Sequence, residues 1–214
     1  MKKLLYIFIL FLFSAFMISC IGVSTDIRMN RDGSGRITME YRISKVLDSL
    51  GALDGNESMP PVPVSRVDWE RSVSRIPGAK LVSHSRREIS QDTIISAVID
   101  FNDSQALCAV LSASGDIVSV NSGAGTLNMI FNKSGRQYDA DLSILMQTMF
   151  SGYSFSFSFS APDDCAMTFT DGRGNPINSP SAAAAVLSGR RVSLSMNTLD
   201  VINQSGGLGA RISW

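Results

Sequence analysis

The chain of 214 residues sets 19 Lys and Arg against 19 Asp and Glu, holds one His and three Cys, and is 44% hydrophobic. That length suits a single domain able to bury its own core. A lone His excludes any intrachain site built on two imidazoles, and the charge balance lacks the basic excess of a nucleic-acid binder.

The first 19 residues stand apart. Lys2 and Lys3 form a short positive start, and Leu4 to Ile18 is an apolar run broken only by Ser14. The run is shorter than the ~20 residues of a comfortable bilayer span, and it ends on small Ser19 before Cys20. Without it the chain keeps 195 residues with 17 basic and 19 acidic side chains, a net charge near −2. Met17-Ile18-Ser19-Cys20 resembles a bacterial lipobox, with Met17 where Leu is usual. The resemblance implies cleavage before Cys20 and a diacylglycerol on its thiol. The expected organisation is a signal peptide over 1–19 and one lipid-anchored domain over 20–214. Two or three acyl chains anchor stably where one, at ~0.8 kcal/mol per buried CH₂, is marginal. The domain is then extracytoplasmic, in the bacterial cell envelope, with the membrane as a partner through Cys20. No second apolar run of ~18 residues follows. An oxidising compartment also makes Cys108 and Cys165 a candidate disulfide, worth ~4 kcal/mol in the loop-entropy picture. The alternative is two separate buried thiols.

In chain order, Val23, Thr25, Ile27 and Met29 alternate with polar residues, as do Ile37, Met39, Tyr41 and Ile43. Between them Asn30 to Gly35 tolerates positive φ, so a hairpin with one apolar face is expected. Ser44 can cap a short helix bearing Val46, Leu47 and Leu50 that stops at Gly51. Residues 52–64 lose periodicity and end in Met59-Pro60-Pro61-Val62-Pro63, a flexible loop. Ser65 with Asp68 fits a capping box and Val64 with Trp69 a hydrophobic staple. The helix they open aligns Trp69, Val73 and Ile76 and ends at Pro77-Gly78.

Two strands are expected near 79–89 and 92–101, turning at Ser90-Gln91-Asp92. Asp103 or Ser104 caps a helix with Leu107, Val110 and Leu111 inward. Strands near 116–120 and 126–132 follow, then a helix with Asp139 and Asp141 in its first turn. Leu142, Leu145, Met146, Met149 and Phe150 form its apolar stripe. Tyr153, Phe155, Phe157 and Phe159 then alternate strictly with Ser154, Ser156, Ser158 and Ser160. That pattern is a strand with an aromatic face and a hydroxyl face. Further strands are expected at 165–170, 190–196 and 209–213, and 182–187 reads as a helical turn or a plain connection. Hairpins interleaved with short helices give an α+β fold, a mainly antiparallel β-sheet packed against several short helices.

Asn30, Asp32, Ser34 and Gly35 match the opening of a calcium loop, but the twelfth position is Tyr41 and Glu40 is out of register. A glycine-rich hairpin turn is expected instead, with no metal and no cofactor. His84 sits among Ser83, Ser85, Arg86 and Arg87 and reads as a surface residue. No Gly-x-Ser-x-Gly elbow accompanies it, and no catalytic constellation emerges. Arg66, Arg71, Arg75, Arg86 and Arg87 concentrate charge over 65–90 and are candidate contacts for anionic headgroups; the alternative is a solvated face. Tyr153, Phe155, Phe157 and Phe159 are candidate apolar ligand contacts, with core packing the weightier alternative.

A lipobox Cys followed at once by a strand, the Asp32-Gly33-Ser34-Gly35 turn and a second strand resembles the LppM-type domain of bacterial lipoproteins. The resemblance implies an α+β fold over most of 21–214 and an association with envelope lipids or host-facing roles. It carries over no catalytic residues. The expected function is a non-enzymatic cell-envelope lipoprotein with a globular domain that binds a lipid or an envelope protein. A lipid carrier with an internal apolar cavity and an enzyme of unrecognised class are the alternatives.

Overall fold

A computed structural model of the chain describes residues 21–45, 63–90, 92–112, 119–123, 125–133, 154–180 and 183–214. Cys20, the helix expected after Ser44, most of the loop 52–64, the helix expected over 139–150 and Tyr153 lie outside the described residues.

The opening hairpin forms from β1 (Ile21–Met29) and β2 (Gly35–Ser44), paired antiparallel with Ile27 opposite Ile37. Gly33, at φ +83°, supplies the left-handed residue of its turn. Gly35 has no room for a side chain: an added Cβ would collide with the Arg28 carbonyl and the Phe101 ring. The capping box at Ser65 opens α1 (Arg66–Ser74) as the sequence predicts. Ser65 Oγ accepts from the Asp68 N–H at 3.2 Å, and Asp68 Oδ2 accepts from the Ser65 N–H at 3.1 Å. Trp69 and Val73 are buried on its inner face, with Trp69 stacked on Tyr41 at 5.9 Å.

The next hairpin is β3 (Ala79–Ile89) with β4 (Asp92–Phe101), followed by α2 (Ser104–Ser112). Asp103 Oδ1 accepts from the Ala106 N–H at 2.8 Å, so Asp103 rather than Ser104 caps that helix. Leu107, Val110 and Leu111 are buried as expected. Strands β5 (Ser119–Gly123), β6 (Thr126–Asn132), β7 (Ser154–Ser160) and β8 (Ala166–Thr170) come next. The chain ends with β9 (Ala183–Ser188), β10 (Arg191–Asn197), α3 (Thr198–Asn203) and β11 (Leu208–Ser213).

The fold is α+β. One sheet has seven strands in the order β3-β4-β2-β1-β7-β10-β9, and the other has four in the order β5-β6-β11-β8. Among the described residues every strand pairing is antiparallel except that of β1 with β7. The inner faces meet: Phe155 on β7 lies 5.3 Å from Phe131 on β6, and Phe159 lies 5.1 Å from Trp214. Ile27, Ile37, Ile95, Ile99, Phe159, Leu127, Leu208 and Ile212 form the core between them. Excluding this apolar surface from water is what holds two sheets together.

Candidate functional site

Strand β7 lies inside the seven-stranded sheet, between β1 and β10. Phe157 sits between Thr25 and Leu194, and Phe159 between Ile27 and Val192. Both are enclosed, at 2% and 0% exposure, while Phe155 is half-buried. Three of the four candidate ligand contacts therefore line the interface between the sheets, and two of them pack its core. Tyr153 lies outside the described residues.

The serines of β7 face the other way. Ser156 lies in one row with Ser24 and Ser195, and Ser158 in the next with Asp26 and Ser193. Ser158 and Ser193 are hydrogen-bonded through their hydroxyls at 3.2 Å. Beyond that row stand Arg36, Arg28 and Arg191. Asp26 holds Arg191 at 2.6 Å and Arg28 at 3.3 Å, and Asp100 holds Arg36 at 2.6 Å. The Arg36 hydrogen bond keeps the Asp100 carboxyl below its ordinary range.

Among the five candidate headgroup arginines, the length of β3 separates Arg75 from Arg86 and Arg87. Helix α1 packs on β3 through the Pro77-Gly78 turn. Arg75 stands beside that turn, whereas Arg86 and Arg87 lie at the opposite end of β3. Eight residues of extended chain put them about 25 Å away. Arg66 pairs with Glu70 at 2.7 Å and Arg87 with Glu40 at 3.7 Å. Lys45 reaches Glu88 at 2.9 Å, and the Lys45 hydrogen bond lowers the pKa of Glu88. Exposed pairs of this kind are worth about 0–1 kcal/mol, so an anionic surface can compete for the cations. Arg42 is held differently, by a 2.6 Å bond to Asp92, whose side chain is almost wholly buried.

His84 corrects the surface expectation. The register of β3 against β4 shifts between Leu81 and Ser83, and the bulge turns His84 to the core side opposite Ala97. The imidazole is half-buried, and its Nε2 donates to the Val64 carbonyl at 3.2 Å. It fastens the approach to α1.

The calcium-like turn closes on itself. Asp32 Oδ1 accepts from the Ser34 N–H at 3.0 Å and from the Ser34 hydroxyl at 2.6 Å. Those bonds lower the Asp32 pKa. Among the described residues no group of three or more His, Cys, Asp or Glu could hold a metal ion. No described helix is long and apolar enough to cross a membrane.

The candidate disulfide is corrected to two free thiols. Cys108 rides on α2, which packs chiefly on β5, and Cys165 enters β8. Those strands are opposite edges of the four-stranded sheet. Three inter-strand spacings, about 14 Å, exceed the Cα separation of a disulfide. The Cys165 thiol instead donates to the Gly189 carbonyl at 3.3 Å, and burial pushes its pKa up, helped by Asp164.

Two features escaped the sequence. Residues 183–188 form β9, an edge strand with Val186 64% and Leu187 50% exposed. The Ala-rich run carries no β signature of its own and is extended because β10 offers it a ladder. Ile89, 45% exposed, stands at the turn of the β3–β4 hairpin; only the strand ends reveal what lies beside it.

Comparison with protein-family models, with curated proteins and with solved structures returns no match.

Proposed function

We propose that this chain is a non-enzymatic lipoprotein of the bacterial cell envelope, whose extracytoplasmic α+β domain binds a lipid or protein partner at its surface. The observation that carries the proposal is Met17-Ile18-Ser19-Cys20 at the end of an apolar run that opens with Lys2-Lys3. The resemblance to LppM-type domains points to the same compartment. Cys20 is the attachment point, and the acyl chains make the membrane its first partner. The packing of Phe157 and Phe159 against Leu194 and Val192 supports a surface binding module over a carrier with an internal cavity.

The test pairs two experiments. In a bacterial host fed an alkyne fatty acid, the wild-type chain takes up the label and loses residues 1–19, and Cys20→Ser abolishes both. Label retained by the Cys20→Ser variant refutes the anchor. Native mass spectrometry of residues 21–214 is expected to show the bare domain. A stoichiometric adduct of lipid mass, lost in Phe157→Leu, establishes the carrier instead.

A further inference from the structure

The anchor and the domain are separated by no tether. Strand β1 begins at Ile21, the residue bonded to Cys20, and it is the central strand of the seven-stranded sheet. A lipid on Cys20 therefore holds the sheet by one particular end, and the register shows what shares that end. Ile21 lies opposite Ile43, so the end of β2 with Lys45 is beside it. Thr93 lies opposite Ile43 and Glu88 opposite Thr93, which brings the β3–β4 turn to the same edge. Ser154 and Asn197, paired with each other, complete the row on the other side of β1.

The geometry points to this end of the sheet as a docking surface for a phospholipid bilayer, with the strands standing upright on it. The inference rests on the lipoprotein reading of Cys20. Ile89 supplies a second contact. It is apolar, 45% exposed and three strands from β1, about 14 Å across the sheet. The cations nearest it are Lys45, paired with Glu88 at 2.9 Å, and Arg87, paired with Glu40 at 3.7 Å; each one that exchanges its exposed partner for a headgroup phosphate adds about 1 kcal/mol. An anchor at one point leaves a domain free to tilt; a second apolar contact 14 Å away (about three strand spacings) fixes the tilt. At the far end, nine residues of β1 lift the Asn30–Ser34 turn about 30 Å from the membrane. That end carries Arg28, Arg36 and Arg191 with their carboxylates and stays free for another partner.

Amide hydrogen exchange on vesicles of zwitterionic and anionic phospholipid tests the orientation. Two preparations separate it from the lipoprotein reading. In one, the chain is purified with whatever acylation the host installs, and its intact mass reports that modification. In the other, residues 20–214 carrying Cys108→Ser and Cys165→Ser are coupled through Cys20 to a maleimide headgroup, so that the attachment point is the same without acylation. Relative to detergent, vesicle attachment is expected to slow exchange over 88–91 and leave 30–34 unchanged. The slowing at 88–91 is lost in Ile89→Ser. Slowing at 30–34, or equal exchange at the two turns, overturns the orientation. An unacylated intact mass with slowing at 88–91 in the coupled form refutes the lipoprotein reading alone.

Discussion

Phe159 tests whether the aromatic strand is core. Its side chain is fully enclosed, flanked by Ile27 and Val192 in its own sheet and met by Trp214 from the other. Phe159→Ala removes a ring that no neighbour can replace, because rows on both sides are already occupied. Truncations of this kind cost about 3–5 kcal/mol, transfer and cavity terms together. Against a total stability of about 5–15 kcal/mol that is a large share. For a domain of this size it corresponds to a fall in Tm of about 6–20 °C. Leu187→Ala, on the exposed edge strand β9, is expected to change stability by no more than about 0.5 kcal/mol. Urea unfolding of both variants, with the m-value held against wild type, measures the difference. A Phe159→Ala cost below about 1 kcal/mol, or one equal to that of Leu187→Ala, would show that the ring does not fill a core.

Three further outcomes follow from particular contacts. Gly35→Ala places a Cβ against the Arg28 carbonyl and the Phe101 ring, so a loss of about 1–3 kcal/mol is expected in the same assay. An unchanged midpoint would mean the hairpin does not close as described. Dithiothreitol is expected to leave Tm unchanged, because Cys108 and Cys165 are free; thiol labelling should modify half-exposed Cys108 faster than buried Cys165. A reductant-sensitive Tm would restore the disulfide. Stability is expected to fall in acid: hydrogen bonds lower the pKa of Asp32, Asp68, Asp100 and Asp171 from 3.8 and of Glu88 from 4.5. A carboxyl with a depressed folded pKa stabilises fully above its unfolded pKa and loses that contribution as pH falls through the folded value. The urea midpoint should therefore decline as pH drops below 4.5, and a midpoint that rises there would contradict these bonds.

Local patterns were legible wherever one residue type repeats against water. The period-2 runs set both long hairpins to within a residue or two, and Ser65 with Asp68 marked the start of α1. What escaped depends on partners distant in sequence. The parallel pairing of β1 with β7 joins residues 23–28 to 155–160, and no local signal announces it. Ala183 to Leu187 has the composition of a helix, yet the open edge of β10 extends it. A single bulged residue near Val82 reversed the facing of His84, since one extra residue flips every side chain beyond it. Arg75 and Arg87 are close in sequence and far apart in space, because β3 runs extended between them. For the proposed membrane-facing edge, the sequence supplied Cys20 as an expectation; only the strand register places Ile89 and Lys45 at the edge where Ile21 begins β1.

The most direct measurement is the intact mass of the chain extracted from bacterial membranes in mild detergent. The lipoprotein reading predicts the mass of residues 20–214 plus a diacylglyceryl group, with or without a third acyl chain, localised to Cys20 by fragmentation. An unmodified mass, or cleavage at any residue other than Cys20, would contradict it.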